Sequence, residues 1–171
     1  MNGIAHSSLA APRILTIGYE GVSIDRFVQT LKAGGVTQLL DVRELPLSRR
    51  KGFSKRALAA SLTRAGIDYR HERALGAPRH IRHRLRVDGN LEGYFIDFRE
   101  YLATQHRVLN TMARTIKGAV ALMCYERNPA ECHRSVVAAA LAKRLNSTVE
   151  HLSVPLHDFE QTPHATRAHP G

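Results

Sequence analysis

The sequence predicts an α/β fold: a single-domain, three-layer arrangement with a mainly parallel sheet of about five strands and helices on both faces. Three observations carry that prediction. Strand-like and helix-like segments alternate from end to end, and the strand-like runs are almost continuously apolar, as strands covered on both faces must be. At 171 residues, with no internal repeat, the chain has the length of one domain with a sizeable core.

The elements follow in order. "RILTIG", residues 13–18, is a short apolar run that stops at glycine and reads as a buried strand. "SIDRFVQTLKAGG" reads as a helix: Ser23 suits the N-cap, Ile24, Phe27, Val28 and Leu31 fall at helical spacing, and Gly34 stands at the stop. "VTQLLDVR" is a second strand, and "SKRALAASLTRAG" a second helix between Ser54 and Gly66. "IDYRH" is a weaker third strand. From Glu72 to Gly93 the periodicity vanishes among arginine, histidine and glycine, so 72–93 reads as a basic loop or lid.

"YFIDFREYLATQHRVLNTMARTIKG" carries one long helical pattern ending at Gly118. "AVALMC" is the fourth strand. "NPAECHRSVVAAALAKRLN" reads as a helix capped by Asn128, with Pro129 at its first position and Glu131 three residues past the cap. Cys132 is then the fourth residue of that helix. "STVEHL" is the last strand. The domain therefore spans 13–154, with a disordered leader at 1–12 and a disordered His/Pro-rich tail at 155–171.

Charge narrows the function. Lys plus Arg number 25 against 15 acidic residues, a formal net charge of +10, which favours anionic partners such as nucleic acid, nucleotides or phosphorylated metabolites. No segment reaches the roughly 18 uninterrupted apolar residues of a membrane span. The start, "MNGIAHSSLAAP", lacks a basic lead and a sustained apolar run, so it does not read as a secretory signal. Two cysteines make no disulfide framework. The expectation is a cytoplasmic protein.

In an open parallel sheet, ligands bind beyond the carboxyl ends of the strands. The polar residues collect at that edge. The first strand runs into "GYEG", offering Gly18, Tyr19 and Glu20; the second into "DVRELP", offering Asp41 and Arg43; the fourth into "CYERNPAECHRS". There Cys124 and Cys132 are candidates for nucleophile or redox centre, and His133, Glu126 and Asp41 for proton transfer. Arg43, Arg134 and Ser135, with Tyr19, Glu20 and Gly18, are candidates for holding an anion. Helix polarity, His133 and Arg134 favour a thiolate at one cysteine, whereas Glu126 and Asp41 oppose it. Asp41 with Arg43 also fits a structural ion pair, and Cys132 fits inert packing.

Spacing excludes several mechanisms. A cysteine phosphatase needs Cys, five residues and Arg in one loop, and neither cysteine has that partner. "GYEG" matches neither the dinucleotide nor the P-loop glycine pattern. Without a CxxC pair, a zinc site would have to combine Cys124, Cys132 and His133 with a distant Asp41, so the expectation is no metal and no cofactor.

"TIGYEG", "LLDVRELPLSRRKGFSK", "AGIDYRHERALG" and "VALMCYERNPAECHRSVVA", in this order, resemble the bacterial and archaeal family Domain of Unknown Function 488 over about residues 13–152. The resemblance supports the fold and marks Gly18, Asp41, Arg43, Cys124, Glu126, Cys132, His133 and Arg134 as signature positions. It implies no reaction. Family members typically carry an acidic residue where this chain has Asn128, and some relatives carry DNA-repair labels. "LLDVRE", and a cysteine ending a strand before a loop and "RS", are also similar to rhodanese-type sulfurtransferases, although the Cys124–Arg134 loop is several residues too long for their amide cradle.

Two functions therefore compete. The first is an enzyme acting on a phosphorylated or nucleotide-like anion, with sulfur transfer or thiol redox chemistry as a minor variant. The second is a non-catalytic nucleic-acid-binding module using Arg49, Arg50, Lys51, Lys55, Arg79, Arg82 and Arg84 along the phosphates, with Tyr69 or Phe53 stacking on bases. An enzyme needs a few arginines converging on a pocket, whereas a binding module needs a broad stripe.

Overall fold

The computed structural model describes residues 11–156. The leader and tail expected from the sequence lie almost wholly outside the described residues. Five strands, β1 (Arg13–Gly18), β2 (Gln38–Asp41), β3 (Asp68–His71), β4 (Ala119–Cys124) and β5 (Val149–Leu152), form one sheet in the order β3-β2-β4-β1-β5. Every neighbouring pair is parallel. Six helices accompany them: α1 (Ile24–Ala33), α2 (Lys55–Arg64), α3 (Arg79–Asp88), α4 (Leu91–Thr104), α5 (His106–Thr115) and α6 (His133–Leu145).

The three layers follow from the alternation of side chains along each strand. On β4, Ala119, Ala121 and Met123 pack with Phe27 and Leu31 of α1 and Leu58 and Leu62 of α2. Val120 and Leu122 turn the other way, against Ile81, Phe98, Met112 and Val137 from α3 to α6. All six residues of β4 are buried, as the apolar run "AVALMC" requires of a central strand.

Three local expectations are corrected. The 72–93 stretch is not an irregular lid: it holds a 3₁₀ turn, Arg73–Leu75, and the helix α3, stopped by left-handed Gly89 at φ 66°. The helical period is weak in the sequence because α3 turns only Ile81 and, in part, Leu85 into the core and is otherwise rich in exposed arginine and histidine. Its stability comes from packing on the neighbouring helix, where Ile81 joins Tyr94 and Phe98 in the core, with the Arg84–Asp97 ion pair at 2.7 Å on the rim. The long 94–118 pattern is two helices, α4 and α5, broken at Gln105 (ψ 20°) without any glycine or proline. The break lets Leu102 and Leu109 both reach the core.

The third correction bears on the site. The segment after Asn128 is not one helix. Pro129–Glu131 is a 3₁₀ turn, Cys132 is extended at φ −124°, ψ 133°, and α6 starts only at His133. Cys132 is thus the N-cap of α6, its sulfur accepting from the backbone N–H of Arg134, rather than a residue inside the helix.

Candidate functional site

The strand order creates a crevice. From β1 the chain crosses by α1 to β2, while from the adjacent β4 it crosses by α6 to β5, on the opposite face and in the opposite direction. The loops leaving β1 and β4 therefore diverge, which is the switch-point arrangement where open parallel sheets bind ligands. A cavity of about 360 Å³ opens there, lined by Tyr19, Arg43, Cys124, Tyr125, Glu126 and His133 and rimmed by the loop from Glu44 to Arg50 and by Arg82.

The backbone brings the loops together before any side chain acts. The N–H groups of Tyr19 and Glu20 both donate to the carbonyl of Tyr125. The carboxylate of Glu20 accepts from the N–H of Arg127 at 3.1 Å. Gly18 allows this approach, since a Cβ there would lie 1.9 Å from the carbonyl oxygen of Glu126. Arg134, 1% exposed, braces the same loop from below by donating to the carbonyls of Glu126 and Arg127. Ser135 donates to the carbonyl of Pro129. These three positions build the loop, and neither Arg134 nor Ser135 lines the cavity.

Asp41 and Arg43 form a second frame. The guanidinium donates from Nε to Asp41 Oδ1 at 2.8 Å and from Nη2 to Oδ2 at 2.6 Å, a two-pronged contact with both residues buried. Its Nη1 donates to Tyr19 Oη and to the carbonyl of Phe53, and Tyr69 donates its hydroxyl to Asp41 Oδ2. Burial alone would lower the Arg43 pKa, but the hydrogen bonds and charge of Asp41 outweigh it and hold the group charged. Asp41 is fully buried and does not line the cavity. Phe53 is also fully buried, its ring stacked 4.4 Å from that of Tyr19, so it offers no face to a base.

At the cavity floor, Cys124, Glu126, Cys132 and His133 converge, each presenting a donor atom within 4.8 Å of the others. Nε2 of His133 lies 2.8 Å from the carbonyl oxygen of Val42. A carbonyl only accepts, so Nε2 carries a proton, and in the neutral ring Nδ1 turns its lone pair toward Cys124 Sγ at 3.8 Å. That nitrogen is placed either to take the thiol proton or to ligate a metal beside the sulfur. On the other side, Cys132 Sγ donates to Glu126 Oε2 at 3.0 Å.

The electrostatics of the four are coupled. Burial pushes the Cys132 thiol well up, and the neighbouring Cys124 adds to it, which opposes the pull of His133 toward a thiolate at that sulfur. Burial would raise Glu126 too, but hydrogen bonds from Cys132 and Cys124 win and its pKa is lowered. Burial would lower His133, yet Cys132, the Val42 carbonyl and Glu126 together raise it.

Of the basic residues read as a phosphate-tracking set, Arg49, Arg50 and Arg82 reach the cavity, while Lys51, Lys55, Arg79 and Arg84 are outside its lining. Arg82 is paired with Glu44, and Arg50 donates to the carbonyl of Val22 at 2.8 Å. Among the described residues no carboxylate pairs with Arg49 or Arg50. Sequence reading missed Leu45, Leu47 and Tyr125, exposed apolar side chains at the rim. A leucine is unremarkable in a loop until the fold turns it toward a crevice. Asn128 caps the 3₁₀ turn by accepting from the N–H of Ala130 and does not line the cavity.

Fold and site together define a doubly wound parallel α/β protein with an arginine-rimmed crevice above a thiol, imidazole and carboxylate floor. The chain belongs to the family described as Domain of unknown function DUF488, whose model matches residues 23–141. That span takes in Asp41, Arg43 and the whole Cys124–Ser135 segment, and the family's description carries no reaction. Comparison with curated proteins and with solved structures returned no match.

Proposed function

We propose that this protein is an enzyme that takes a small phosphorylated or nucleotide-like anion into the crevice and acts on it with the cluster at the floor. The observation that carries the reading is the convergence of guanidinium groups and reactive side chains on one cavity of about 360 Å³. That size suits a small metabolite, being near the lower end of the roughly 300–1,000 Å³ of ligand pockets. Arg49 and Arg50 hold the anion, because the other two arginines of the cavity already have carboxylate partners. Tyr125, Leu45 and Leu47 supply an apolar wall for whatever the anion is attached to. Cys124, Glu126 and His133 line the cavity, with Cys132 just beneath, and form the reactive centre. Asp41, Arg43 and Arg134 hold the loops in register.

Calorimetric titration with inorganic phosphate, nucleoside monophosphates and nucleoside diphosphates tests the reading. Binding of at least one class, weakened about tenfold or more in Arg49→Ala/Arg50→Ala, is expected. If none binds at millimolar concentration and low salt, the proposal fails.

The non-catalytic nucleic-acid reading draws on one observation of its own: Arg79, Arg84 and Arg86 are exposed along α3, beside the crevice. Fluorescence anisotropy separates the two. A binding module would hold mixed oligonucleotides with an affinity falling by about 0.9 log units per log of salt for each phosphate neutralised. Nucleotide binding without oligonucleotide binding would dispose of it.

A further inference from the structure

The floor of the crevice is a better fit to a metal centre than to a bare thiol. We propose that Cys124, Cys132, His133 and Glu126 form a binding site for a zinc ion. Two sulfurs, one imidazole nitrogen and one carboxylate oxygen are the donor types that zinc takes, and all four lie within 4.8 Å of one another. A tetrahedral ion with ordinary zinc–sulfur, zinc–nitrogen and zinc–oxygen bonds sets its ligand atoms about 3.4–3.8 Å apart. Cys124 Sγ and His133 Nδ1 are 3.8 Å apart, and Cys132 Sγ and Glu126 Oε2 are 3.0 Å apart, so small rotations close the shell.

Two further observations are independent of that spacing. The imidazole is already fixed as a metal ligand would be: its Nε2–H donates to the carbonyl of Val42, while its ring packs edge-on to Phe98 with centroids 5.0 Å apart. Ligating histidines are oriented by such an outer carbonyl bond, which also sets the tautomer. Second, Glu126 brings a carboxylate beside two sulfurs with no Lys or Arg side chain paired to it among the described residues. Arg134 reaches only the backbone carbonyl of Glu126. His133 is the sole basic side chain facing this cluster of two thiols and a carboxylate among the described residues, and a divalent cation would balance their ionised forms.

The two sulfurs select a borderline-soft ion over magnesium or calcium. Binding would release the two thiol protons to solvent, with no change of oxidation state at either sulfur. Cys132 lies beneath the floor while Cys124, Glu126 and His133 line the cavity, so the ion would sit at the cavity's base. There, on the anion-binding reading above, it would act as a Lewis acid toward the group held by Arg49 and Arg50 once Glu126, the ligand without sulfur or imidazole, left its position open.

The test uses the full chain purified under a phosphine reductant, so that no disulfide masks the sulfurs. Metal content by inductively coupled plasma mass spectrometry should give about one zinc per chain. Chelated protein should take up Co²⁺ with a thiolate-to-cobalt charge-transfer band in the near ultraviolet. Cys124→Ser and Cys132→Ser should each weaken zinc at least tenfold in competition with a chromophoric chelator, and Glu126→Gln should weaken it less. Circular dichroism checks that each variant is folded; should a cysteine variant unfold, Glu126→Gln and the wild-type cobalt spectrum still decide the matter. Reduced wild-type protein that neither carries zinc nor binds added Zn²⁺ overturns the proposal. So does zinc binding undiminished in all three variants. If zinc binds but no phosphate or nucleotide does, the enzyme reading falls and the metal site stands.

Discussion

Replacing Asp41 by asparagine removes one charge from the frame behind the crevice and leaves its shape almost unchanged. Asp41 is 0% exposed and Arg43 6%, and both carboxylate oxygens accept from the guanidinium. An asparagine amide presents one acceptor and turns a donor toward Nε or Nη2 of Arg43, so a buried guanidinium loses its counter-charge. Breaking a buried pair from one side costs about 3–5 kcal/mol, against total domain stabilities of roughly 5–15 kcal/mol. For a chain of this size each kcal/mol shifts Tm by about 2–4 °C, which gives a fall of roughly 6–20 °C. Differential scanning calorimetry measures it. The surface pair Arg13–Glu150 is the control: it has a similar 2.7 Å contact, but its side chains are 53% and 54% exposed. Glu150→Gln should cost under about 1 kcal/mol. Adding Arg43→Met to Asp41→Asn should restore part of the loss, because the lone charge is gone. A Tm within about 2 °C of wild type for Asp41→Asn would refute the reasoning.

Gly18→Ala should damage the site through the backbone alone. Its Cβ would lie 1.9 Å from the Glu126 carbonyl oxygen, so the β4 loop must move; the melting temperature should fall, and phosphate binding in the calorimeter should weaken. Unchanged values for both would show that the loop yields freely. Raising salt should weaken nucleotide binding in wild type far more than in Arg49→Ala/Arg50→Ala, since the exposed guanidiniums supply the salt-sensitive part; parallel salt dependences in titration calorimetry would count against them. His151 should titrate below the ordinary 6.5, because burial and then the positive charge of Arg134 disfavour its imidazolium. Its folded-state value being the lower one, the associated stability is present above pH 6.5 and is lost as pH falls through the folded value. Imidazole chemical shifts followed by NMR against pH check the direction, and a value above 6.5 contradicts it.

The layering of the fold and the edge that holds the site could be read from the sequence because both are local. Apolar runs such as "RILTIG" and "AVALMC", punctuated by caps and glycines, impose strands and helices whichever neighbours they meet. A parallel sheet then sends every strand's carboxyl end to one side, so Gly18, Asp41 and Cys124 had to share an edge. The ion pair of Asp41 and Arg43 was also open to reading, since side chains two apart on extended backbone lie on the same side.

What tertiary structure alone decided is which of these groups face one another. Nothing local distinguishes Cys132 inside a helix from Cys132 as its cap. The 3₁₀ turn and the bracing of the 126–127 carbonyls by Arg134 make the difference, and with it the sulfur points to Glu126. Asp41 is withdrawn behind Arg43, and Glu126 is instead the acid that reaches the sulfurs, because Gly18 lets the β4 loop fold back over β1. The proton on His133 is set by Val42, 91 residues away in sequence. Helix α3 is supported by the surface of α4, against which Ile81 packs, and its arginine-rich sequence alone does not announce it. Propensity and periodicity act over a few residues, whereas the contacts that build the site join segments dozens of residues apart and exist only once the sheet has formed.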